Sequence, residues 1–504
     1  MPEDSAGTYF YHSHVGFQAA SCSGPLIIED RKQPYKTDGE RIVFVQELYN
    51  RSDSSIEEGL QATTFKFSGE PNAFLINGKA ISNFGVTDSS SARLSVISVK
   101  PDRTYRMRFI GAQALSYAAL GIEGHSNLQI IEADGSYTKP HNTSILQIAS
   151  GQRFSTLLKT KSCHELKGSK KTDYYIQIES RERPSNLTNY AILRYSNICN
   201  LPSYSVKNVS NAAYPDKKPV ALPPTINGFL DYALQPLGPN DFPSASEVTR
   251  RVIINTQQIL DKWVVWRDSN VSWSDNATDS APHITPSQPY LVSLYQNRTA
   301  FMPSYSAALK HDGVDPVTST FPAKIGEVLE IVLQNVGADA YDGRPSGGLD
   351  VHPWHAHGQH YYDIGGGPGA FDPQVAEERL KGTQPVLRDT TMLFRYNKTT
   401  SMDRKQGWRA WRLRVQQPGV WMIHCHTVQH MIMGMQTVWV FGDAKDILAV
   451  PRPEVSGYLS FGGSAYGNSS HAPEVVHFSD LNETNGGHWI EDAYQHQPAR
   501  TSCG

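Results

Sequence analysis

The 504-residue chain has no apolar run approaching the roughly 18 residues needed to cross a bilayer, so no membrane anchor is expected. It has no basic tract either. Lys plus Arg (46) against Asp plus Glu (49) leaves a net charge of −3, which gives no electrostatic case for binding nucleic acid. Residues 1–6 contain no apolar signal segment. Long helical periodicity is rare. In its place stand short strand-like runs such as RIVFVQELY, LEIVLQNV and WRLRV, separated by turn signals in a chain with 39 Gly and 31 Pro. That pattern predicts an all-β protein of β-sandwich architecture. The length exceeds what one hydrophobic core supports, so two or three domains are expected.

Against this background the histidines stand out. Residues 424–435 read His-Cys-His-Thr-Val-Gln-His-Met-Ile-Met-Gly-Met, which offers a thiolate, an imidazole and a weak thioether to a single metal. This is the ligand set of a blue-copper electron-transfer site. In an extended segment Cys425 points to one face while His424 and His426 point to the other, so one residue would wire two metal sites together. Residues 352–358, His-Pro-Trp-His-Ala-His-Gly, supply three more imidazoles, with His355 and His357 on a shared face and His352 free to reach elsewhere. A third cluster, Gly7-Thr-Tyr-Phe-Tyr-His12-Ser-His14, again puts two histidines on one strand face. An isolated His-x-His pair says little; beside the other two clusters it reads as a ligand pair. These segments hold eight of the eighteen histidines, and the rest, such as His125, His283 and His488, are scattered singly.

The phrases AGTYFYHSHVGFQ, HPWHAHGQH and HCHTVQHMIMGM resemble, in order and spacing, the second, third and fourth copper motifs of the multicopper oxidases. The phrase around His12 and the Gly434-Met435 ending are most similar to the fungal ascorbate-oxidase type, which is laccase-like. The resemblance implies tandem cupredoxin-like Greek-key β-sandwich domains, two complete ones plus the remnant of a first. It implies type 1 copper on His352, Cys425 and His430, with Met435 as the long axial ligand. Type 2 copper would lie on His355, and the type 3 pair on His14, His357 and His424 and on His12 and His426. A complete enzyme of this kind carries four coppers. The implied reaction is the one-electron oxidation of a small-molecule reductant at type 1 copper, with electrons passing through Cys425 to a trinuclear cluster that reduces dioxygen to water. An axial methionine lowers the type 1 potential, so readily oxidised enediols or phenols are the expected substrates, including precursors of coupled phenolic metabolites or pigments.

The first motif of the family, an HWHG-like stretch, is absent ahead of His12. By the resemblance, this leaves type 2 copper with one of two histidines and one type 3 copper with two of three, while type 1 is complete. A start lying upstream would account for the missing motif and the missing signal segment together. A shortened copper-binding protein without turnover is the alternative. A ferroxidase is a third reading and requires acidic residues near His430. Relatives often carry a carboxylate between the positions of His426 and His430; here Val428 and Gln429 supply none, and Gln359 and His360 also depart from the family pattern.

Five cysteines are present. With Cys425 assigned to copper, four remain, and the expected pairings are Cys163–Cys199 and Cys22–Cys503, although the sequence allows three connectivities. Ten Asn-x-Ser/Thr sequons, at Asn50, Asn142, Asn186, Asn208, Asn270, Asn276, Asn297, Asn397, Asn468 and Asn482, point with the cysteines to a secreted glycoprotein. The expected organisation is a first-domain remnant at 1–35, a second cupredoxin domain at 40–200, a linker at 200–245, a third domain at 246–446 and a tail at 447–504. The sequence YDIGGGPGAFDP at 362–373 reads as a turn-rich loop.

Overall fold

Alternating or continuous runs of β-branched and aromatic residues fold as strands, and short connections let neighbours pair. A computed structural model describes residues 6–81, 93–196, 199, 209–274, 290–296, 301–341 and 343–449. Strands dominate, as the sequence predicts; among the described residues the helices are short, the longest being Asp53–Leu60 and Pro373–Leu380.

Four larger sheets form two β-sandwiches. In the first, a six-stranded sheet running Ala73–Ile76, Gly39–Leu48, Thr104–Gly111, Arg153–Lys159, Leu128–Ala133, Ser136–Thr143 accompanies a five-stranded one built around Tyr117–Ile122 and Asp173–Arg181. The second pairs a six-stranded sheet centred on Val328–Val336 and Lys405–Arg414 with a five-stranded one. That last sheet runs Phe321–Ala323, Gln436–Phe441, Gly419–Cys425, His352–Ala356, Thr390–Leu393. Taken in chain order, the two sandwiches have the same strand order, with parallel pairing at matching places: Gly39–Leu48 with Thr104–Gly111, and Arg250–Asp261 with Val328–Val336. The repeat is one of topology, invisible in the sequence because different side chains fill the two cores.

By that correspondence, Tyr117–Ile122 and Asp173–Arg181 of the first sandwich are the counterparts of the histidine-bearing His352–Ala356 and Gly419–Cys425 of the second. The former pair packs Ala118, Leu120, Ile122, Ile176 and Ile178 into an apolar core, with no metal-ligating side chain among those five.

The segment at 7–28 forms a two-stranded hairpin, Gly7–His12 with Ser23–Ile28. It is locked to the first sandwich through Thr8, whose N–H and hydroxyl donate to Glu132 at 2.6 and 2.9 Å. Burial opposes the charge on Glu132, but Arg106 and Arg108 hold its carboxyl below the usual range. The proline-rich segment after 208 straps both sandwiches. Phe229 and Leu230 pack on the first core, while Tyr232 and Phe242 pack on the second.

Two expectations change or fall outside the description. Residues 362–373 are no turn-rich loop: Tyr361–Pro368 is a strand of the second six-stranded sheet, bulged between Asp363 and Gly366 where the glycines give the strand room to bend. The segment then enters the helix Pro373–Leu380, capped by Asp372. Cys163 and Cys199 are disulfide-bonded, 36 residues apart. Cys22 is exposed, and the partner expected for it, Cys503, lies outside the described residues, as do positions 450–504 of the tail.

Candidate metal centre

The strand pair His352–Ala356 and Gly419–Cys425 sorts its side chains by alternation. Trp354 lies opposite Cys425 and His355 opposite His424, so His352, Trp354 and Cys425 share one face while His355 and His424 share the other. The helix Val428–Ile432 then turns His430 back toward Cys425.

On the first face, Cys425 Sγ stands 3.8 Å from His352 Nδ1 and 3.7 Å from His430 Nδ1, and the two nitrogens are 3.1 Å apart. Ligands bound at about 2.0–2.3 Å to one centre are separated by distances of this order, so the triangle fits a single metal ion. All three side chains are buried. Met435 is fully buried and tied to the group by its backbone: Cys425 N–H donates to Met435 O at 3.1 Å and Met435 N–H to His430 O at 3.0 Å. The indole of Trp266 lies 4.8 Å from both imidazoles. Burial pushes the Cys425 thiol up, lowers His430 to about 4 and drives His352 well below its ordinary value. Soft thiolate, two neutral imidazoles and a nearby thioether are the donor set that suits copper.

On the other face His357 Nε2 and His14 Nε2 lie 3.1 and 3.4 Å from His424 Nε2. His12 and His355 flank His426, with ring centroids 5.0 and 5.5 Å from it. Four of the six histidines on this face thus come from the second sandwich or its ends, and the hairpin supplies the other two, His12 and His14. Among the described residues, the His14, His357, His424 group and the His352, Cys425, His430 group are the two that bring three ligand atoms within 4.8 Å of one another.

Hydrogen bonds settle which nitrogen faces the cluster. Nδ1 of His12 reaches Ser13 O at 2.8 Å, that of His424 reaches Cys425 O at 2.8 Å, and that of His355 reaches Asp389 O at 2.9 Å. A carbonyl only accepts, so each Nδ1 carries its proton and each Nε2 keeps a lone pair for a metal. Burial lowers the pKa of every one of these imidazoles, that of His355 to about 4, so all are neutral and ligand-competent at neutral pH. Among the described residues one three-ligand group stands on each face, a thiol with two imidazoles on one and three neutral imidazoles on the other, and each donor set suits a copper ion.

One candidate functional residue escaped the sequence reading. No carboxylate lies between His426 and His430, yet Asp350 Oδ2 sits 3.6 Å from His430 Nε2, brought there by the segment that precedes His352. Both line a cleft of about 440 Å³ walled by Phe65, Phe67, Trp266 and Tyr341. The only signal in the sequence was an acid two residues ahead of a candidate ligand. His360 lies 3.4 Å from Asp389.

Two family models, both described as multicopper oxidase, match residues 39–198 and 283–445. The chain is 42% identical to a laccase-like multicopper oxidase 1 of Thermothelomyces thermophilus, over 95% of this chain and 78% of that protein. It is 44% identical to multicopper oxidase terE of Aspergillus terreus, over 94% and 91%. It is 29% identical to an L-ascorbate oxidase of Brassica rapa subsp. pekinensis, over 87% and 76%. Among solved structures, Fet3p, a multicopper oxidase that functions in iron import, superposes with a TM-score of 0.62 at 20% identity, over 94% of this chain and 82% of that one.

Proposed function

We propose, for a chain that belongs to the multicopper oxidase family, that electron-rich phenols or enediols give up single electrons in the cleft above His430. The family binds type 1, type 2 and type 3 copper, and the chain is an oxidoreductase that uses oxygen as acceptor. In our reading His352, Cys425, His430 and the weak thioether of Met435 would hold type 1 copper, and His355 would hold type 2. His14, His357 and His424 hold one type 3 copper, and His12 and His426 the other. Bound copper supplies one-electron acceptance from the reductant and the reduction of dioxygen to water.

The observation that carries the substrate side is the pairing of His430 with Asp350 at 3.6 Å at an aromatic-walled cleft. A flat phenol fits between such walls. A phenol that loses an electron becomes a strong acid, and Asp350 Oδ2 is placed to take the proton from its hydroxyl. Oxygen uptake with a panel of phenols, ascorbate and Fe(II) tests the reading: it predicts turnover with phenols or ascorbate, and absence of both in the copper-loaded protein overturns it.

A ferroxidase reading gains one point from the structure, because Glu70 and Glu182 line the same cleft as Asp350. Those two carboxylates, however, are engaged by Arg183 and Arg395, which leaves little negative charge to hold ferrous iron. Faster oxidation of Fe(II) than of any phenol would favour it. Coupling of phenolic metabolites or pigment precursors is the role we assign to the products.

We also read the protein as secreted. The asparagines of all five described sequons, Asn50, Asn142, Asn186, Asn270 and Asn397, are exposed, and the Cys163–Cys199 bond belongs to an oxidising compartment. Among the described residues no helix is long and apolar enough to cross a membrane. A gel shift on deglycosylation of the native protein is expected; an unshifted band contradicts the assignment.

A further inference from the structure

The first sandwich carries no cysteine or histidine of the two metal-ligand groups, yet one of its turns presses directly on them. Residues Ala149–Gln152 form a tight turn closed by Gln152 N–H donating to Ala149 O at 3.0 Å. Gly151 occupies its third position with φ +84, the left-handed conformation that a type II turn demands there. A Cβ at Gly151 would lie 2.8 Å from His426 Cδ2 and 3.1 Å from Thr390 Cγ2, so the backbone of this turn rests on the imidazole ring.

The adjoining residues bond to the same groups. Ser150 has one hydroxyl proton, and it donates it to the carbonyl of Gln113. Its oxygen can then only accept from His426 Nδ1, 2.8 Å away, which requires that nitrogen to carry the proton and leaves Nε2 with the lone pair. Arg153 forks onto Asp389 with two bonds of 2.6 and 2.7 Å, its donors matching the two carboxylate oxygens. The carbonyl of that same Asp389 accepts from His355 Nδ1 at 2.9 Å. Arg153 also donates to Thr8 O at 3.1 Å, in the strand that ends at His12. Ser150, Gly151 and Arg153 are all buried.

We infer that Ser150–Arg153 is a positioning clip, by which the sandwich lacking metal ligands sets the tautomer and ring plane of His426 and the orientation of His355 in the other. The inference rests on the reading of His426 and His355 as ligands of the type 3 and type 2 coppers. Ser150 and Arg153 touch neither substrate nor metal; they act through the imidazoles they orient. Outer-shell partners of this kind change metal affinity or activity by about 10–100-fold when removed.

Ser150→Ala in the full protein deletes the acceptor without adding volume. The expected result is a type 1 blue absorption equal to that of the unsubstituted protein. The copper concentration needed to half-fill the remaining sites should rise about 10–100-fold, and the type 2 EPR signal and the near-ultraviolet absorption of the type 3 pair should change. Arg153→Lys, which keeps the charge and loses the fork, should weaken type 2 copper in the same selective way. Type 1 colour reports folding on the same chain. Unaltered copper affinity and EPR in both variants overturns the clip, and so does a parallel loss of type 1 copper, because the role is then merely structural. The unsubstituted protein, measured alongside, separates the two claims: if it loads type 1 copper alone, the ligand reading falls and the clip with it, whereas normal loading there and in both variants removes the clip alone.

Discussion

Cys425 is a thiol buried between two imidazoles, and burial alone disfavours its thiolate. Only a bound cation makes the deprotonated form stable there, so metal binding and proton release are linked at this residue. Cys425→Ser is expected to abolish the blue thiolate-to-copper absorption and to reduce oxygen uptake to background; the checks are a visible spectrum and an oxygen electrode. Asp350, 3.6 Å from His430, is the proton acceptor we propose at the same site. Asp350→Asn should leave the blue absorption in place and lower kcat for phenols by about 10²-fold, the usual worth of a positioned base. Steady-state kinetics with a phenol and with a reductant that releases no proton distinguish the two roles, since only the phenol should be affected.

At the scale of elements, strand alternation does most of the sorting. One residue step between Cys425 and His424 or His426 places them on opposite faces, and the pairing of His355 with His424 in register brings two of the sequence clusters together. This is why so much of the site could be read from sequence: the candidate ligands are contiguous in three short segments, and period-two geometry is enough to aim them. What could not be read comes from elsewhere in the chain. Asp350 meets His430 across 80 residues, Ser150 meets His426 across 276, and Arg153 meets Asp389 across 236. No local period announces contacts made by a loop folding back within one sandwich or by the docking of one sandwich on another. The strand at Tyr361–Pro368 was missed for a different reason: its glycines signal turns locally, while pairing to Lys405–Arg414 decides the outcome. The disulfide gives a prediction that belongs here. Cys163 and Cys199 close a 36-residue separation at the end of the first sandwich, and opening it by Cys163→Ser should cost about 4 kcal/mol by loop entropy. Urea denaturation with and without the substitution measures it.

In the molecule as a whole, eight neutral histidines are held at the meeting of the hairpin and the two sandwiches. For a group whose pKa is lowered on folding, the unfolded chain takes up protons first, so stability falls as pH drops below the unfolded value. His355 and His430, moved from 6.5 to about 4, set the window. The metal-free protein should therefore lose stability progressively from about pH 6.5 toward pH 4, and copper should narrow that loss because protons and metal compete for the same nitrogens. Thermal denaturation at stepped pH, with and without copper, reads both effects. On our reading, a one-electron site on one face of a strand feeds a multi-electron site on the other. The stoichiometry of the native, copper-loaded protein with a one-electron donor such as a phenol tests this. Four donor molecules oxidised per dioxygen consumed, with no hydrogen peroxide released, is the predicted result. Blue copper that is bleached by the donor and stays bleached in oxygenated buffer would contradict it.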